Sequence, residues 1–263
     1  MFSFQDVYGP VEVAFTDRHG GVSGGPYASL NLAEPPDEAA LGERQAVAEN
    51  IDLVARALAR GGQSEENDEA SEGTAQMPTV VRMRQVHGAD VHTVDAHWLA
   101  ERPAQPPVAD GLVTDVPGVA LLVRVADCVP LLLADPEHGV IGAAHAGRPG
   151  LVAGIVPATL EGMRRLGAEK IRAWLGPHVC GSCYEVPAEM REQVAAVVPS
   201  SFAETSWGTP SVDVGAGVLA QLDGEGVEVV NAARCTLEDE DFYSYRRQGA
   251  ASGRLGGLVW LRS

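Results

Sequence analysis

Lysine, positive charge in general and long apolar segments are scarce in this sequence. Lys170 is the only lysine, and 36 acidic against 19 basic residues give a formal net charge of -17. So acidic a surface is a poor partner for the phosphates of DNA or RNA, or for an anionic bilayer. No stretch approaches the roughly 18 apolar residues that span a membrane, and the N-terminal segment MFSFQDVYGP lacks the pattern of a signal peptide. We therefore expect a cytoplasmic protein that binds neither nucleic acid nor membrane.

Cysteine is also sparse, with Cys128, Cys180, Cys183 and Cys235 as its only occurrences. These are too few for a disulfide scaffold in a chain of 263 residues. Because cytoplasmic thiols are kept reduced, each cysteine is interpreted as a metal ligand, a catalytic group or a small buried side chain.

The length and the hydrophobic content of 45% are enough for one large core, and we predict a single domain over residues 1–263 without internal repeats. Residues 61–79, GGQSEENDEASEGTAQMPT, carry several acidic side chains and no basic one. Such a segment cannot bury enough apolar surface to order itself. It is predicted to be a mobile surface insertion.

The hydrophobic pattern alternates short apolar runs with helical periodicity. It predicts strands at 11–15, 118–125, 130–135, 140–145, 171–175, 226–230 and 258–262, and helices at 38–60, 151–166, 187–197 and 214–222. Continuous apolar strands imply sheets that are covered on both faces. The predicted fold class is therefore α/β with a mixed sheet.

Three apolar runs end in a residue that can bind a metal, within a turn of small residues: His87 in RQVHGAD, Cys128 in RVADCVP and His145 in AAHAGRPG. Strand ends are where loops bring side chains to a common site. Two imidazoles and one thiolate form a catalytic zinc set that leaves the fourth position open. The residues alone also allow hydrogen-bonded turn histidines and an inert core cysteine, because the spacing matches no short zinc motif.

Motifs spread over nearly the whole chain resemble the YfiH-like family, whose members have been described as polyphenol oxidase or laccase domains and as purine nucleoside phosphorylases. The matching stretches are FTDRHGGVSGGPYASLNL, RQVHGADV, ADGLVT, ADCVPLLLADP, AAHAG, GPHVCGSCYEV, RCT and FYSYRRQGAASGRL. The resemblance implies that His87, Cys128 and His145 bind zinc. It also implies a four-layer sandwich of two packed mixed sheets flanked by helices, similar to the catalytic domain of cytotoxic necrotizing factors.

The activity that the resemblance implies is phosphorolysis of adenosine, inosine and methylthioadenosine, with inorganic phosphate as co-substrate. The products are the free base and ribose 1-phosphate or its methylthio counterpart, and adenosine is also deaminated. The chain departs from the family at one point, because HAGRPG stands where HAGWRG is usual. Arg148 and Pro149 thus replace a tryptophan and an arginine.

Cys183 and Asp127 are candidate catalytic residues. Cys183 in CGSCYEV matches a family cysteine that the resemblance places beside the metal pocket, whereas Cys180 stands where glycine is usual and is interpreted as structural. A single C-x-x-C supplies only half of a tetrahedral zinc site. Asp127, Cys183 and Glu185 are the candidate proton carriers for the departing ammonia.

Arginines in the matched motifs are candidate ligands for phosphate, because a guanidinium fork fits such an anion. They are Arg18, which lies beside the further candidate His19 in TDRHGG, and Arg246 and Arg247 in FYSYRRQG. The alternative is that they are ordinary exposed charges.

Three other functions stay open at this point. A copper polyphenol oxidase is disfavoured because seven histidines without any H-x-H pair make a multicopper centre difficult. A cysteine hydrolase or amidase acting on a cell-wall precursor would use Cys128 or Cys183, activated by His145. A non-enzymatic binding protein is the third. The expected partner is a small nucleoside, and the assembly is a monomer or a homodimer.

Overall fold

A computed structural model of the chain describes residues 1–34, 40–61, 77–101 and 103–263. Its strands are β1 (Phe2–Tyr8), β2 (Val11–Thr16), β3 (Thr79–Arg82), β4 (Val91–Thr93), β5 (Gly111–Thr114), β6 (Val119–Val125), β7 (Val129–Asp135), β8 (Val140–Ala146), β9 (Arg172–Leu175), β10 (Phe202–Glu204), β11 (Pro210–Val212), β12 (Glu228–Asn231) and β13 (Leu255–Leu261). Its α-helices are α1 (Leu41–Arg60), α2 (Ala96–Glu101), α3 (Arg148–Ala153), α4 (Ile155–Arg165), α5 (Ala188–Val197), α6 (Val214–Gly224) and α7 (Tyr245–Gln248).

Two mixed sheets form the centre of the protein. The first has the strand order β1-β2-β13-β6-β3 and the second the order β12-β9-β7-β8-β5-β4, while β10 and β11 form a separate hairpin. In the first sheet β3 pairs parallel to β6. In the second sheet β4 is parallel to β5, and β12 is parallel to β9. The other strand pairs are antiparallel.

The central strands are buried on both faces, which explains their continuous apolar sequences. Every residue of β6, β7, β8 and β13 is buried. One set of side chains, including Phe15, Leu121 and Leu132, fills the space between the two sheets. The alternate side chains point to the outer faces, as expected from the two-residue period of a strand.

Helices cover both outer faces. Val54 and Leu58 of α1 pack against Leu122 and Leu258 of the first sheet. Helices α3, α4, α5 and α6 bury their apolar side chains against the second sheet. The result is a sandwich of four layers with helices outside and two packed mixed sheets inside. This confirms the predicted α/β architecture; the similarity to cytotoxic necrotizing factors stays a prediction.

Several boundaries differ from the sequence prediction. The helical pattern predicted at 151–166 is two helices, α3 and α4, separated by Gly154, whose φ of 88° is in the left-handed region that favours glycine. Of the insertion predicted at 61–79, residues 62–76 lie outside the described part, and Thr79 already pairs with Val119. Residues 38 and 39 of the first predicted helix also lie outside it, and the helix begins at Leu41.

None of the described helices combines the length and the apolar character that crossing a membrane requires.

Candidate metal centre

The three predicted metal ligands lie together at one edge of the sandwich. His145 belongs to β8, Cys128 lies in the turn between β6 and β7, and His87 follows β3. One ligand atom from each lies within 4.8 Å of the others. The Sγ of Cys128 is 3.7 Å from Nε2 of His87, and the two imidazole rings meet edge to face with centroids 4.7 Å apart.

The backbone on both sides of the centre is strained. His87 and Asp127 have φ angles of 62° and 84°, which residues other than glycine rarely adopt. Such conformations persist where the surrounding structure determines them, and they cluster at functional sites. They direct the His87 side chain and the neighbouring Cys128 toward His145.

The carboxylate of Asp110 holds His145 and the His87 segment in position through hydrogen bonds. Its fully buried carboxylate accepts a hydrogen bond from Nδ1 of His145 at 2.8 Å. It also accepts backbone N–H groups from Val86, His87 and Gly88 at 3.1, 3.0 and 2.7 Å. Burial would raise the pKa of the Asp110 carboxyl, but these hydrogen bonds outweigh it and lower the pKa below its usual value. The carboxylate therefore stays ionised and keeps Nε2 of His145 free for a ligand.

The thiol of Cys128 and the imidazole of His145 shift each other's pKa. Burial alone would raise the pKa of Cys128, but the His145 charge and hydrogen bonds from both histidines lower it to about 6. Burial likewise opposes a charge on His145, yet the Cys128 thiolate and Asp110 raise its pKa to about 9. At neutral pH the pair is a thiolate beside an imidazolium. The thiolate form is the one that binds metals.

The centre opens into a cavity of about 1160 Å³. Besides the three candidate ligands, its wall includes part of the glycine-rich loop at 22–27, the aromatic side chains of Tyr184 and Tyr245, and several arginines. Asn50 of α1 fixes this loop by accepting a hydrogen bond from Val22 N at 2.8 Å and donating to Ser23 Oγ at 3.0 Å.

Only one of the three arginines predicted to bind phosphate reaches this cavity. Arg246 lies in its wall, with the guanidinium 4.5 Å from the centroid of the Tyr184 ring. Arg18 and Arg247 instead line a smaller cavity of about 490 Å³ together with His19. Their role as phosphate ligands stays a prediction.

The groups in the smaller cavity already have partners within the protein. Arg18 donates hydrogen bonds to the carbonyl of Ala28 at 3.2 and 3.0 Å. Arg247 donates to the carbonyls of Thr236 and Leu237 at 3.0 and 2.8 Å, and also to that of Phe242. His19 lies 3.0 Å from the carboxylate of Asp241. The contact between His19 and Asp241 joins the N-terminal and C-terminal loops of the fold.

Asp127 lies in the cavity wall, with both carboxylate oxygens in use. Oδ1 accepts a hydrogen bond from the Thr236 hydroxyl, and Oδ2 accepts one from the backbone N–H of Arg246, both at 2.7 Å. These bonds tie the Cys128 turn to the C-terminal segment. They favour a positioning role, and the predicted proton transfer by Asp127 stays a prediction.

Cys183 lies apart from the three ligands and is not among the described residues that line the cavity. Its thiol belongs to a second cluster with Cys180, Cys235 and Glu238. Burial and the neighbouring thiols raise the pKa of Cys183 far above its usual value. A neutral thiol is a weak nucleophile, so this environment disfavours the predicted catalytic role. Glu185, the third candidate proton carrier, is exposed and accepts a hydrogen bond from the Trp207 indole at 2.7 Å.

Sequence reasoning missed Asp110 and four arginines of the cavity wall, Arg84, Arg124, Arg148 and Arg254. The only local signal for Asp110 was its place in ADGLVT, immediately before β5. Arg84 lies three residues before His87, and Arg148 was noted only as a departure from the family motif.

Replacing Asp110 by Asn should weaken metal binding about 10- to 100-fold, because the amide no longer holds His145 in the binding orientation. The chain offers a matched control at the opposite end of the β7–β8 hairpin. There the fully buried Asp135 accepts from Nδ1 of His138 at 2.9 Å. Asp135→Asn should lower the free energy of unfolding but not the metal affinity. Competition with a chromogenic chelator measures the metal affinity of both variants. Equal metal affinities of Asp110→Asn and Asp135→Asn would contradict the role of Asp110.

Comparison with known proteins identifies the family of the chain. The family model described as multi-copper polyphenol oxidoreductase laccase matches residues 12–262. The chain therefore belongs to this family, the YfiH-like family that its motifs resemble.

The relatives carry more specific names. A protein of Streptomyces griseus named purine nucleoside phosphorylase is 51% identical over 261 residues, covering 97% of this chain and 96% of the relative. One of the same description from Streptomyces coelicolor is 49% identical over 265 residues, covering 99% and 100%. The crystal structure of YlmD from Geobacillus stearothermophilus superposes with a TM-score of 0.79 at 29% identity, covering 100% of this chain and 99% of that one.

Proposed function

We propose that this protein is a zinc-dependent purine nucleoside phosphorylase of the cytoplasm that also deaminates adenosine. The observation that carries the proposal is the His87, Cys128 and His145 set, which opens into a cavity with arginines and tyrosines in its wall. The names of the Streptomyces relatives support a phosphorylase. The proposed substrates are adenosine, inosine and methylthioadenosine.

The donor set fits zinc. Two imidazole nitrogens and one thiolate are common ligands of catalytic zinc, and the carboxylate behind His145 is the usual outer partner of such a ligand. Gly147 leaves room for the set, because a Cβ there would lie 2.6 Å from Cδ2 of His87 and 3.1 Å from Sγ of Cys128. When bound in such a three-ligand site, zinc acts as a Lewis acid and lowers the pKa of a coordinated water to about 7.

Phosphorolysis also requires a site for phosphate. In this reaction a phosphate oxygen bonds to the anomeric carbon, the bond to the purine nitrogen breaks, and a proton goes to the departing base. Arg84, Arg148, Arg246 and Arg254 line the cavity, and within the described part of the chain none of them forms an ion pair with a carboxylate. In so acidic a chain, four arginines without acidic partners beside one cavity favour an anion. They can place phosphate near the sugar.

The purine requires flat apolar surfaces. Tyr27, Tyr184 and Tyr245 contribute aromatic side chains to the same wall. Aromatic faces stack readily on bases without strict sequence or substituent preference, which agrees with a range of purine nucleosides. The guanidinium of Arg246 lies 4.5 Å from the centroid of the Tyr184 ring, so a candidate anion ligand and a candidate stacking surface are adjacent.

The function can be tested with a panel of nucleosides, in phosphate and in phosphate-free buffer. With phosphate, adenosine, inosine and methylthioadenosine should each yield free base and the sugar 1-phosphate. Without phosphate, adenosine should yield only inosine and ammonia. Chromatographic time courses measure the products, and base release at the same rate without phosphate would contradict phosphorolysis.

The same assay distinguishes the two arginine sites. Arg246→Ala should raise the KM for phosphate about 10- to 30-fold, since a hydrogen bond to a charged group contributes about 1.5–2 kcal/mol. Formation of inosine should change much less. Arg18→Ala is the control, since its guanidinium lines the smaller cavity. A raised phosphate KM in Arg18→Ala, with none in Arg246→Ala, would move the anion site to Arg18, Arg247 and His19.

A cysteine hydrolase is the second candidate, because the pKa values of Cys128 and His145 describe a thiolate–imidazolium pair. It predicts activity on an amide or ester that survives complete removal of metal. A copper oxidase, which the family description suggests, predicts copper in the elemental analysis instead of zinc.

A further inference from the structure

A second group of metal-binding side chains lies outside the cavity. One ligand atom each from Cys180, Cys183, Cys235 and Glu238 lies within 4.8 Å of every other. None of these four residues belongs to the His87, Cys128 and His145 set or lines the cavity. The group thus has no part in the proposed reaction.

The topology explains how the two halves of this cluster meet. Strands β9 and β12 are parallel neighbours, so the segments that follow them leave the sheet at the same edge. His178 N donates to the carbonyl of Arg234, and Thr236 N donates to that of His178, at 3.0 and 3.1 Å. These bonds join the segment that carries Cys180 and Cys183 to the segment that carries Cys235 and Glu238.

Local turns bring the four side chains toward one another. The backbone N–H groups of Cys183 and Tyr184 both donate to the carbonyl of Cys180 at 3.0 Å, which folds C-x-x-C into a tight turn. Asp239 N donates to the carbonyl of Cys235 at 3.1 Å, which turns the C-x-x-E segment in the same way. Each segment therefore contributes two ligands with the spacing that structural zinc sites commonly use.

We propose that this cluster is a second zinc site, structural in character, formed by Cys180, Cys183, Cys235 and Glu238. Thiolates select soft or borderline metals, and three sulfurs with one carboxylate oxygen complete a tetrahedron around Zn²⁺. At a Zn–S distance of about 2.3 Å, sulfurs in a tetrahedron lie about 3.8 Å apart. Separations of at most 4.8 Å need only a movement of about 1 Å to reach this geometry.

Four protein ligands leave no open position, so the site would stabilise and not catalyse. The metal would hold two segments whose neighbouring residues form or support the cavity wall. Tyr184, next to Cys183, lies in the cavity wall. Thr236, next to Cys235, donates its hydroxyl to Asp127 beside Cys128. A metal here would fix both segments against the Cys128 turn.

The decisive measurement is zinc per chain in protein prepared without chelators or nickel columns. Cys235→Ser should contain about one zinc fewer than the wild type, and Cys128→Ser should lose a different one. In the Cys128→Ser background, cobalt substitution should still produce intense thiolate-to-cobalt charge-transfer absorption, because three sulfurs remain at the second site. That absorption should disappear in the double variant with Cys235→Ser.

If Cys235→Ser does not fold normally, a second variant of the same site is needed. Glu238 is exposed, so Glu238→Gln should fold and should weaken zinc binding at this site at least about 10-fold in a chelator competition. Equal zinc content in wild type and Cys235→Ser, or unchanged affinity in Glu238→Gln, would overturn the proposal. So would fewer than four free thiols in the denatured, chelated protein, because the cluster would then be a disulfide.

The zinc content of each variant is compared with that of the wild type, so the result does not depend on nucleoside turnover. The second site can therefore fail while the phosphorylase proposal stands, and the reverse also holds.

Discussion

Cys128→Ser should remove the catalytic metal and reduce phosphorolysis and adenosine deamination on the order of 10³-fold. The thiolate is present at neutral pH because the pKa of Cys128 is about 6. A serine hydroxyl is nearly the same size but remains protonated, and a protonated group is a poor zinc ligand. His145→Ala should have the same effect, since it removes another ligand of the set. Elemental analysis and the nucleoside assay measure the two losses together.

The control for His145→Ala is His138→Ala. Both histidines present Nδ1 to a buried aspartate, His145 to Asp110 at 2.8 Å and His138 to Asp135 at 2.9 Å, at opposite ends of the same hairpin. His138→Ala should keep full metal content and activity. If Cys128→Ser contains as much metal per chain as the wild type, the three-ligand site is wrong. If it loses the metal but keeps both phosphorolysis and adenosine deamination, the metal has no catalytic part.

Gly147→Ala should reduce activity by more than about 100-fold, because a misplacement of about 1 Å at a reacting centre can cost that much. The new Cβ would lie 2.6 Å from His87 and 3.1 Å from Sγ of Cys128, and neither group can move away without leaving the metal site. The free energy of unfolding should fall by about 1–3 kcal/mol, as is usual for overpacking. Zinc affinity, kcat/KM and urea unfolding are the measurements.

Gly42→Ala is the matched control, the same substitution at a place where a Cβ meets nothing within 4 Å. Gly42 lies in the first turn of α1, so alanine should stabilise the protein by up to about 1 kcal/mol through its helix propensity. Gly42 lines the cavity at a point where the added methyl group has free space, so activity should change far less than in Gly147→Ala. If Gly147→Ala is as active as Gly42→Ala, the His87 side chain of the working enzyme occupies a different position from the one described.

The elements most accurately predicted from the sequence are the buried strands and the residues at their ends. β6, β7, β8 and β13 are apolar over nearly their whole length, so local composition alone identifies them. His87, Cys128 and His145 stand out because each interrupts such a run with a metal-binding side chain. Local patterns are informative here, because burial on both faces allows few residue types.

Residues whose role depends on distant partners were not predictable. Asp110 is remote in sequence from both His87 and His145, and only the pairing of β5 with β8 brings its carboxylate beneath them. The two arginines of RRQG also separate: Arg246 reaches the large cavity and Arg247 the small one. Adjacent residues point in different directions, and the tertiary structure decides which direction reaches a site.

The sequence by itself determined the α/β class, the family and the three candidate metal ligands, because each is expressed in short segments with a chemical or periodic pattern. The tertiary structure alone decided that Asp110 holds His145, that Arg18 lies apart from Arg246, and that Cys180 and Cys183 meet Cys235 and Glu238. These relations depend on which strands become neighbours. Strand order follows from packing two sheets and their helices around shared cores, and no local segment encodes it.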